Sequence, residues 1–246
     1  GQFAHRSVLI RGHCRSHASD RKRTGSDSNY EGNWKETCRF VYPGHHRSSC
    51  DGFIRDLMME FEDDIIRCLE VLRSGGTILY PTDTVWGLGC DATNPEAVAR
   101  IYALKKRPEN KALIVLVTEE QDVLKYVAAP DLALFDHLKT RAKPTTVVYE
   151  GAIGFADNLT ASDGSIAIRI CQDSFCRHLI KRFGKPIVST SANSSGEPTP
   201  THFFEVSANI RAGVDYVVQH RQSDTQPAAS SSVIRWENGQ PIILRP

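Results

Sequence analysis

Three stretches of this chain gather hydroxyls, amides, a carboxylate and cations at spacings that suit a small polar molecule and a polyphosphate. In Tyr80-Pro-Thr-Asp-Thr-Val-Trp-Gly-Leu-Gly89 an apolar run meets a proline and delivers Thr82, Asp83 and Thr84 into a turn. The glycines there let backbone pass close to a ligand. Each threonine hydroxyl can donate and accept a hydrogen bond; a capped turn is the alternative. Leu104-Lys-Lys-Arg-Pro108 puts three cations in the last turn of a helix. They complement the helix dipole there, but Pro108 turns the chain outward, so Lys105 and Arg107 should stand at a sheet edge within reach of phosphates. Val188-Ser-Thr-Ser-Ala-Asn-Ser-Ser-Gly196 runs from an apolar strand straight into small hydrogen-bonding residues. Strand ends of open α/β sheets form ligand crevices, and Ser191 and Asn193 share a side if the chain stays extended; a plain Ser/Asn loop is the alternative. Arg245, in Ile243-Leu-Arg-Pro246, is a further phosphate ligand or simply a surface arginine.

The elements that carry these residues alternate. Phe61, Ile65, Leu69 and Leu72 recur at helical spacing up to Gly75-Gly76. Thr77–Tyr80 reads as a strand, and Asn94-Pro95-Glu96 as the N-cap, N1 proline and acidic first turn of a helix to about Lys106. Leu113–Val117 is a strand buried on both faces, and Glu119–Val127 and Asp131–Leu138 read as helices. Strands follow at Thr145–Tyr149, Ile166–Ile170 and Pro186–Ser189, with a helix carrying Phe175, Leu179, Ile180 and Phe183 before Gly184. A helix near Phe203–Ile210, strands at Tyr216–Val218, Val233–Trp236 and Ile242–Leu244, and a type I′ turn at Asn238-Gly239 complete the order. The expected fold is α/β, a mixed parallel and antiparallel sheet flanked by helices.

Several chemistries drop out. The chain has no phosphate-loop, nucleophile-elbow or His-Glu-x-x-His motif. Gly87-Leu-Gly-Cys-Asp-Ala92 matches a dinucleotide fingerprint, but the preceding strand ends six residues before Gly87 and Glu109 lies in a basic loop. His178 and His202 read as surface groups on helices. Cys38, His45, His46 and Cys50, with His13, Cys14 and His17, match no regular zinc spacing, so no metal ligand is assigned. No apolar run approaches the roughly 20 residues of a membrane span. Seven scattered cysteines do not resemble a disulfide framework, and a reducing cytoplasm fits them.

Charge divides the chain. Residues 1–57 hold ten Lys/Arg against six Asp/Glu, and residues 58–246 hold twenty against twenty-three, so any RNA contact must come from a local patch. The first 57 residues lack methionine and apolar periodicity. They read as an arm outside the folded domain 58–246: an extension ahead of a start at Met58 or Met59, a disordered arm, or a targeting segment whose six acidic residues count against it.

In this order, Tyr-Pro-Thr-Asp-Thr-Val-Trp-Gly-Leu-Gly, Lys-Lys-Arg-Pro, Ser-Thr-Ser-Ala-Asn-Ser-Ser-Gly and Ile-Leu-Arg-Pro resemble the YrdC-type threonylcarbamoyl-AMP synthases over roughly residues 60–246. The resemblance implies a twisted sheet around a concave, positively charged cavity, in the short form ending near Pro246. It implies that L-threonine, bicarbonate and ATP, with Mg2+, give threonylcarbamoyl-AMP and pyrophosphate in the cytoplasm. A separate tRNA threonylcarbamoyl transferase machinery would use the product at adenosine 37, and contact with tRNA or double-stranded RNA is possible in this family. Lys105 and Arg107 match its Lys-x-Arg and Ser191 and Asn193 its Ser-x-Asn, the catalytic set. Thr82, Thr84, Thr146, Arg169, Ser231 and Arg245 match substrate-binding positions. Trp86 stands where Tyr is frequent, Ala142-Lys-Pro-Thr-Thr146 departs from Trp-Pro-Gly-Pro-Leu-Thr, Leu116 stands where some members carry His, and Arg235 replaces a frequent Asp. The alternatives are a non-catalytic RNA-binding module using the same cavity and a hydrolase or acyl-transfer enzyme, for which no activated nucleophile can be named.

Overall fold

The computed structural model describes residues 60–108, 113–226 and 228–246, all within one compact unit that runs from Phe53 to Pro246. The arm of residues 1–57 and the cysteines and histidines weighed in it for zinc lie outside the described residues.

Helix α1, Glu62–Arg73, buries Ile65, Cys68, Leu69 and Leu72, the stripe its spacing predicts; each large apolar side chain so buried contributes about 1.5–3 kcal/mol. Its Asp64 is buried as well. That carboxylate is fully engaged, accepting from the Tyr216 hydroxyl at 2.6 Å and from the backbone N–H groups of Gln219 at 2.9 Å and His220 at 2.8 Å. A buried charge is tolerated on those terms, and the bonds fasten residues 216–220 to the helix.

Among the described residues nine strands form one sheet. In chain order they are β1 (Ile78–Tyr80), β2 (Gly87–Gly89), β3 (Ile114–Val117), β4 (Thr145–Tyr149), β5 (Ile166–Ile170), β6 (Ile187–Ser191), β7 (Tyr216–Val217), β8 (Ser232–Glu237) and β9 (Gln240–Arg245). Across the sheet the order is β7-β1-β2-β6-β3-β5-β4-β8-β9. β1 with β7, β3 with β5 and β4 with β8 are parallel, and the other neighbours are antiparallel. The mixed sheet expected from the alternation is therefore present. Asn238 (φ 51°) and Gly239 (φ 74°) both take the left-handed conformation that a type I′ turn between β8 and β9 requires.

Helices flank the sheet. α2, Pro95–Lys105, starts at Asn94, whose side-chain oxygen accepts from the N–H groups of Glu96 and Ala97, and stops at left-handed Lys106. α3 (Glu120–Tyr126) and α4 (Ala133–Lys139) follow β3. α5, Ser174–Phe183, is capped by Asp173 and ended by left-handed Gly184; it packs on α1, with the Phe61 and Phe175 rings edge to face at 5.6 Å.

Four expectations need correction. Gly87–Gly89 is a strand, not part of a turn: it threads between β1 and β6, and a Cβ on Gly89 would lie 2.6 Å from the Tyr80 ring. Small residues make that close passage possible, and the sequence shows only the glycines. The helix expected near Phe203–Ile210 is two pieces, a 3-10 turn at Phe203–Glu205 and α6, Ala208–Gly213, because Ser207 starts a new cap. His178 is buried, not a surface group, and lies 6.0 Å from the Phe61 ring. His202 caps the 3-10 turn instead of riding on a helix.

Candidate active site

Strand register assembles the site. Paired residues on neighbouring strands project to the same face of a sheet. Leu116 pairs with Arg169, Thr146 with Val233, and Val233 with Arg245. Val147 pairs with Ile168, which sets Thr146 beside Arg169 one step along the antiparallel ladder. On the other side Leu116 pairs with Ile187, and Ser189 and Ser191 follow it at two-residue steps, with Gly87 opposite Ser191. One face of the sheet thus carries Gly87, Ser189, Ser191, Arg169, Thr146 and Arg245 side by side.

The Tyr80–Gly89 segment lies over this face. Thr82 Oγ1 accepts from the Thr84 N–H at 3.0 Å, donates to the Val85 carbonyl at 2.8 Å and lies 3.0 Å from Thr84 Oγ1. Part of this is the capped turn that the sequence allows, with both hydroxyls buried. Arg169 crosses from β5 to meet it, donating to Thr84 Oγ1 at 3.2 Å and lying 2.9 Å from Asp83 Oδ1. The ion pair is close but not aligned as a hydrogen bond, so Asp83 Oδ1 and Arg169 Nε are both buried without a hydrogen-bond partner. With Arg169 only 3% exposed, a buried N–H and a buried carboxylate oxygen left over at one point mark a place where a polar ligand would complete the bonding.

Further along the face, Thr146 Oγ1 and Ser231 Oγ are 2.8 Å apart. Arg245 folds back on the Ser231 carbonyl, with 2.9 Å from its NH2. Burial and then the nearby Arg169 hold the Arg245 guanidinium below its ordinary pKa. The β9 arginine is therefore part of this cluster.

The cationic stretch meets the Ser-x-Asn loop directly. Lys105 is 1% exposed, and its ammonium donates to the carbonyls of Ser191 and, at 2.6 Å, Asn193. The Ser195 N–H returns a bond to the Lys105 carbonyl at 2.7 Å. An ammonium has three N–H groups, so at most one remains for a ligand. Burial, with Arg107 adding to it, lowers the Lys105 pKa to about 8; burial also lowers that of Arg107. The sequence expectation of a lysine arm reaching from a sheet edge does not hold for Lys105, and Arg107 is half-buried. Lys105 is inside, bracing the loop. Asn193 does not continue β6 in extended form, because the strand ends at Ser191. Its amide donates to the carbonyls of Ser194 at 3.0 Å and Glu197 at 2.7 Å. Those two acceptors fix which way the amide faces, and its oxygen is left buried without a partner.

Contacts gather nine of the ten residues singled out in the sequence into three groups, Thr82 with Thr84 and Arg169, Thr146 with Ser231 and Arg245, and Lys105 with Ser191 and Asn193, while Arg107 follows the end of α2. Sequence reasoning missed Asp83 as a partner of Arg169 and the Lys105 carbonyl contacts, because both depend on pairings across more than 80 residues. No group of three or more His, Cys, Asp or Glu residues that could hold a metal occurs among the described residues. The cysteines among them, Cys68, Cys90, Cys171 and Cys176, are free and buried.

A family described as Sua5/YciO/YrdC, telomere recombination, matches residues 70–246. The threonylcarbamoyl-AMP synthase of Pseudoalteromonas translucida is 34% identical over 69% of this chain and 93% of its own. That of Photobacterium profundum is 32% identical over 70% and 98%. Among solved structures, P. abyssi Sua5 in complex with L-threonine superposes with a TM-score of 0.66 at 25% identity, covering 74% of this chain; this chain spans 53% of that protein's length. E. coli YciO, at 21% identity and a TM-score of 0.64, shares the fold. With residues 70–246 matched throughout, this chain belongs to the Sua5/YciO/YrdC family.

Proposed function

We propose that this protein is an L-threonylcarbamoyladenylate synthase, a nucleotidyltransferase that makes threonylcarbamoyl-AMP and pyrophosphate from L-threonine, bicarbonate and ATP. The observation that carries this reading is the shared face on which a hydroxyl-rich turn with unfulfilled Asp83 and Arg169 groups adjoins the Lys105-braced Ser191–Asn193 loop. One end suits a zwitterionic amino acid and the other a nucleotide.

The residues act by position and charge. The threonine amine adds to the carbon of carbon dioxide with loss of a proton, or of bicarbonate with loss of water, to give a carbamate. A carbamate oxygen then attacks the α-phosphorus of ATP, and the bond from that phosphorus to the α,β-bridging oxygen breaks, so that pyrophosphate leaves with the electron pair on that oxygen. Arg169 and Asp83 hold the amino acid, and Thr82 and Thr84 line its side. Lys105, Arg107 and Arg245 offset the growing negative charge, and burial makes the Lys105 cation count for more than it would in water. Ser191 and Asn193 fix the nucleotide; the unpaired Asn193 oxygen can only accept, so it faces a donor such as a ribose hydroxyl or an amino group, not a phosphate. Thr146 and Ser231 complete the wall. No nucleophilic side chain is needed, since orientation and exclusion of water supply the rate.

Magnesium would arrive on the triphosphate: the one carboxylate at the site, Asp83, is ion-paired with Arg169, so the described residues do not build a cage for it. The folded domain 58–246 acts in the cytoplasm and hands its product to a tRNA threonylcarbamoyl transferase. No helix among the described residues is long and apolar enough to cross a membrane. An RNA-binding module without catalysis is favoured by nothing in the site.

The test is pyrophosphate release from ATP with threonine and bicarbonate each omitted in turn. Release should fall to background in either omission. Equal release without threonine would overturn the reading, and no release at all would return the RNA-binding alternative.

A further inference from the structure

Arg221 belongs to none of the motifs, yet it grips the turn that carries Thr82 and Thr84. It is a non-glycine residue at φ 66°, a conformation that side-chain-bearing residues adopt at a cost and keep only where surroundings enforce it. The enforcement is visible on both sides. Upstream, Asp64 of α1 binds the N–H groups of Gln219 and His220, and the His220 ring lies 5.1 Å from Phe61 and 5.8 Å from Phe175. Downstream, the Asp224 N–H bonds the Arg221 carbonyl at 3.2 Å, and Asp224 Oδ2 accepts from Arg221 Nε at 2.8 Å.

This backbone aims the guanidinium inward. Its NH1 lies 2.8 Å from Asp173 Oδ2 and 3.4 Å from the Thr82 carbonyl. The ion pair is the stronger contact and brings the guanidinium to the carbonyl. Asp173 also caps α5, accepting from the Cys176 N–H at 2.9 Å, and Cys176 Sγ in turn donates to the Pro81 carbonyl at 3.3 Å. The successive carbonyls of Pro81 and Thr82 are thus held by one assembly. Further along the segment, the Thr225 carbonyl lies 3.0 Å from His202 Nε2.

We propose that Arg221 is a positioning residue for the amino-acid half of the site, fixing the Thr82–Thr84 turn through the Thr82 carbonyl and Asp173. The inference rests on the reading of that turn as the threonine side. It predicts a separation of effects, because the nucleotide half is braced independently by Lys105. Arg221→Gly removes the guanidinium while suiting the left-handed backbone, so the loop's conformation is retained or favoured. The threonine KM should rise about tenfold, with kcat and the ATP KM within about twofold of wild type, the pattern of lost ground-state binding, whatever the melting temperature loses with the Asp173 ion pair. Arg221→Lys, able to pair with Asp173 through a point charge but not to span Asp173, Asp224 and the carbonyl together, should give an intermediate threonine KM. An unchanged threonine KM in Arg221→Gly, beside an active wild type, overturns the inference alone. Threonine and ATP constants worsening together with a lowered melting temperature would mean a structural role only and also overturns it. A wild type with no threonine-dependent turnover overturns the functional reading and this inference with it.

Discussion

Arg169→Ala should be nearly inactive and about 3 kcal/mol less stable, the penalty of removing one partner of a buried ion pair. The guanidinium is 3% exposed and Asp83 12%, so the abandoned carboxylate would have little water to turn to. Thr84 Oγ1 loses its donor at the same time. Stability and activity are separable here. In Arg169→Met with Asp83→Asn the stranded charge is gone, and most of the melting temperature should return, since apolar or neutral replacements of a buried pair are often neutral. Threonine-dependent pyrophosphate release should not return, because the groups that complete a zwitterion's bonding are gone. Recovery of activity in the double variant, read beside a thermal melt, would show that the pair only supports the fold.

Lys105→Ala should lower kcat/KM for ATP at least about tenfold, about 1.4 kcal/mol of transition-state stabilisation. It also leaves the Ser191 and Asn193 carbonyls without their donor, at about 1–3 kcal/mol if water cannot replace it. Titration gives the sharper signature. The Lys105 pKa falls from 10.5 to about 8 in the folded chain, chiefly through burial. The folded state therefore disfavours the protonated form. That destabilising contribution is present in full below pH 8 and fades as pH rises between about 8 and 10.5, where the unfolded chain still binds the proton and the folded chain does not. Activity runs the other way, since the charge that steadies the leaving pyrophosphate is lost above pH 8. A kcat/KM profile for ATP should accordingly descend above about pH 8, and Lys105→Arg, if it keeps activity, should carry that limb to higher pH. A flat wild-type profile from pH 7 to 9.5 would mean that the Lys105 charge takes no part.

Local chemistry made much of this fold readable. The Asn94-Pro95 start of α2 and the Asn238-Gly239 turn are decided by residues within a few positions of one another, and the structure reproduces both. The apolar stripe of α1 did the same for its buried face. The glycine strand β2 was opaque because its existence depends on Tyr80 and Val188 closing around it from either side. The role of Asp64 carries no signal in the sequence, because its three partners lie more than 150 residues away. The site divides in the same manner. Residue types marked Thr82, Lys105, Ser191, Asn193 and Arg245, whereas the Arg169–Asp83 pair, the inward turn of Lys105 and the grip of Arg221 follow from register and loop closure.

The central claim is that an amino acid and a nucleotide are joined through a captured one-carbon acid on this one face. Supplying 13C-labelled bicarbonate with L-threonine and ATP and weighing the adenylate by mass spectrometry tests it most directly. The account predicts an AMP conjugate of threonine carrying the label, formed in step with pyrophosphate and lost on quenching the reaction before threonine is added. An unlabelled threonyl adenylate, or AMP and pyrophosphate with no conjugate, would contradict it.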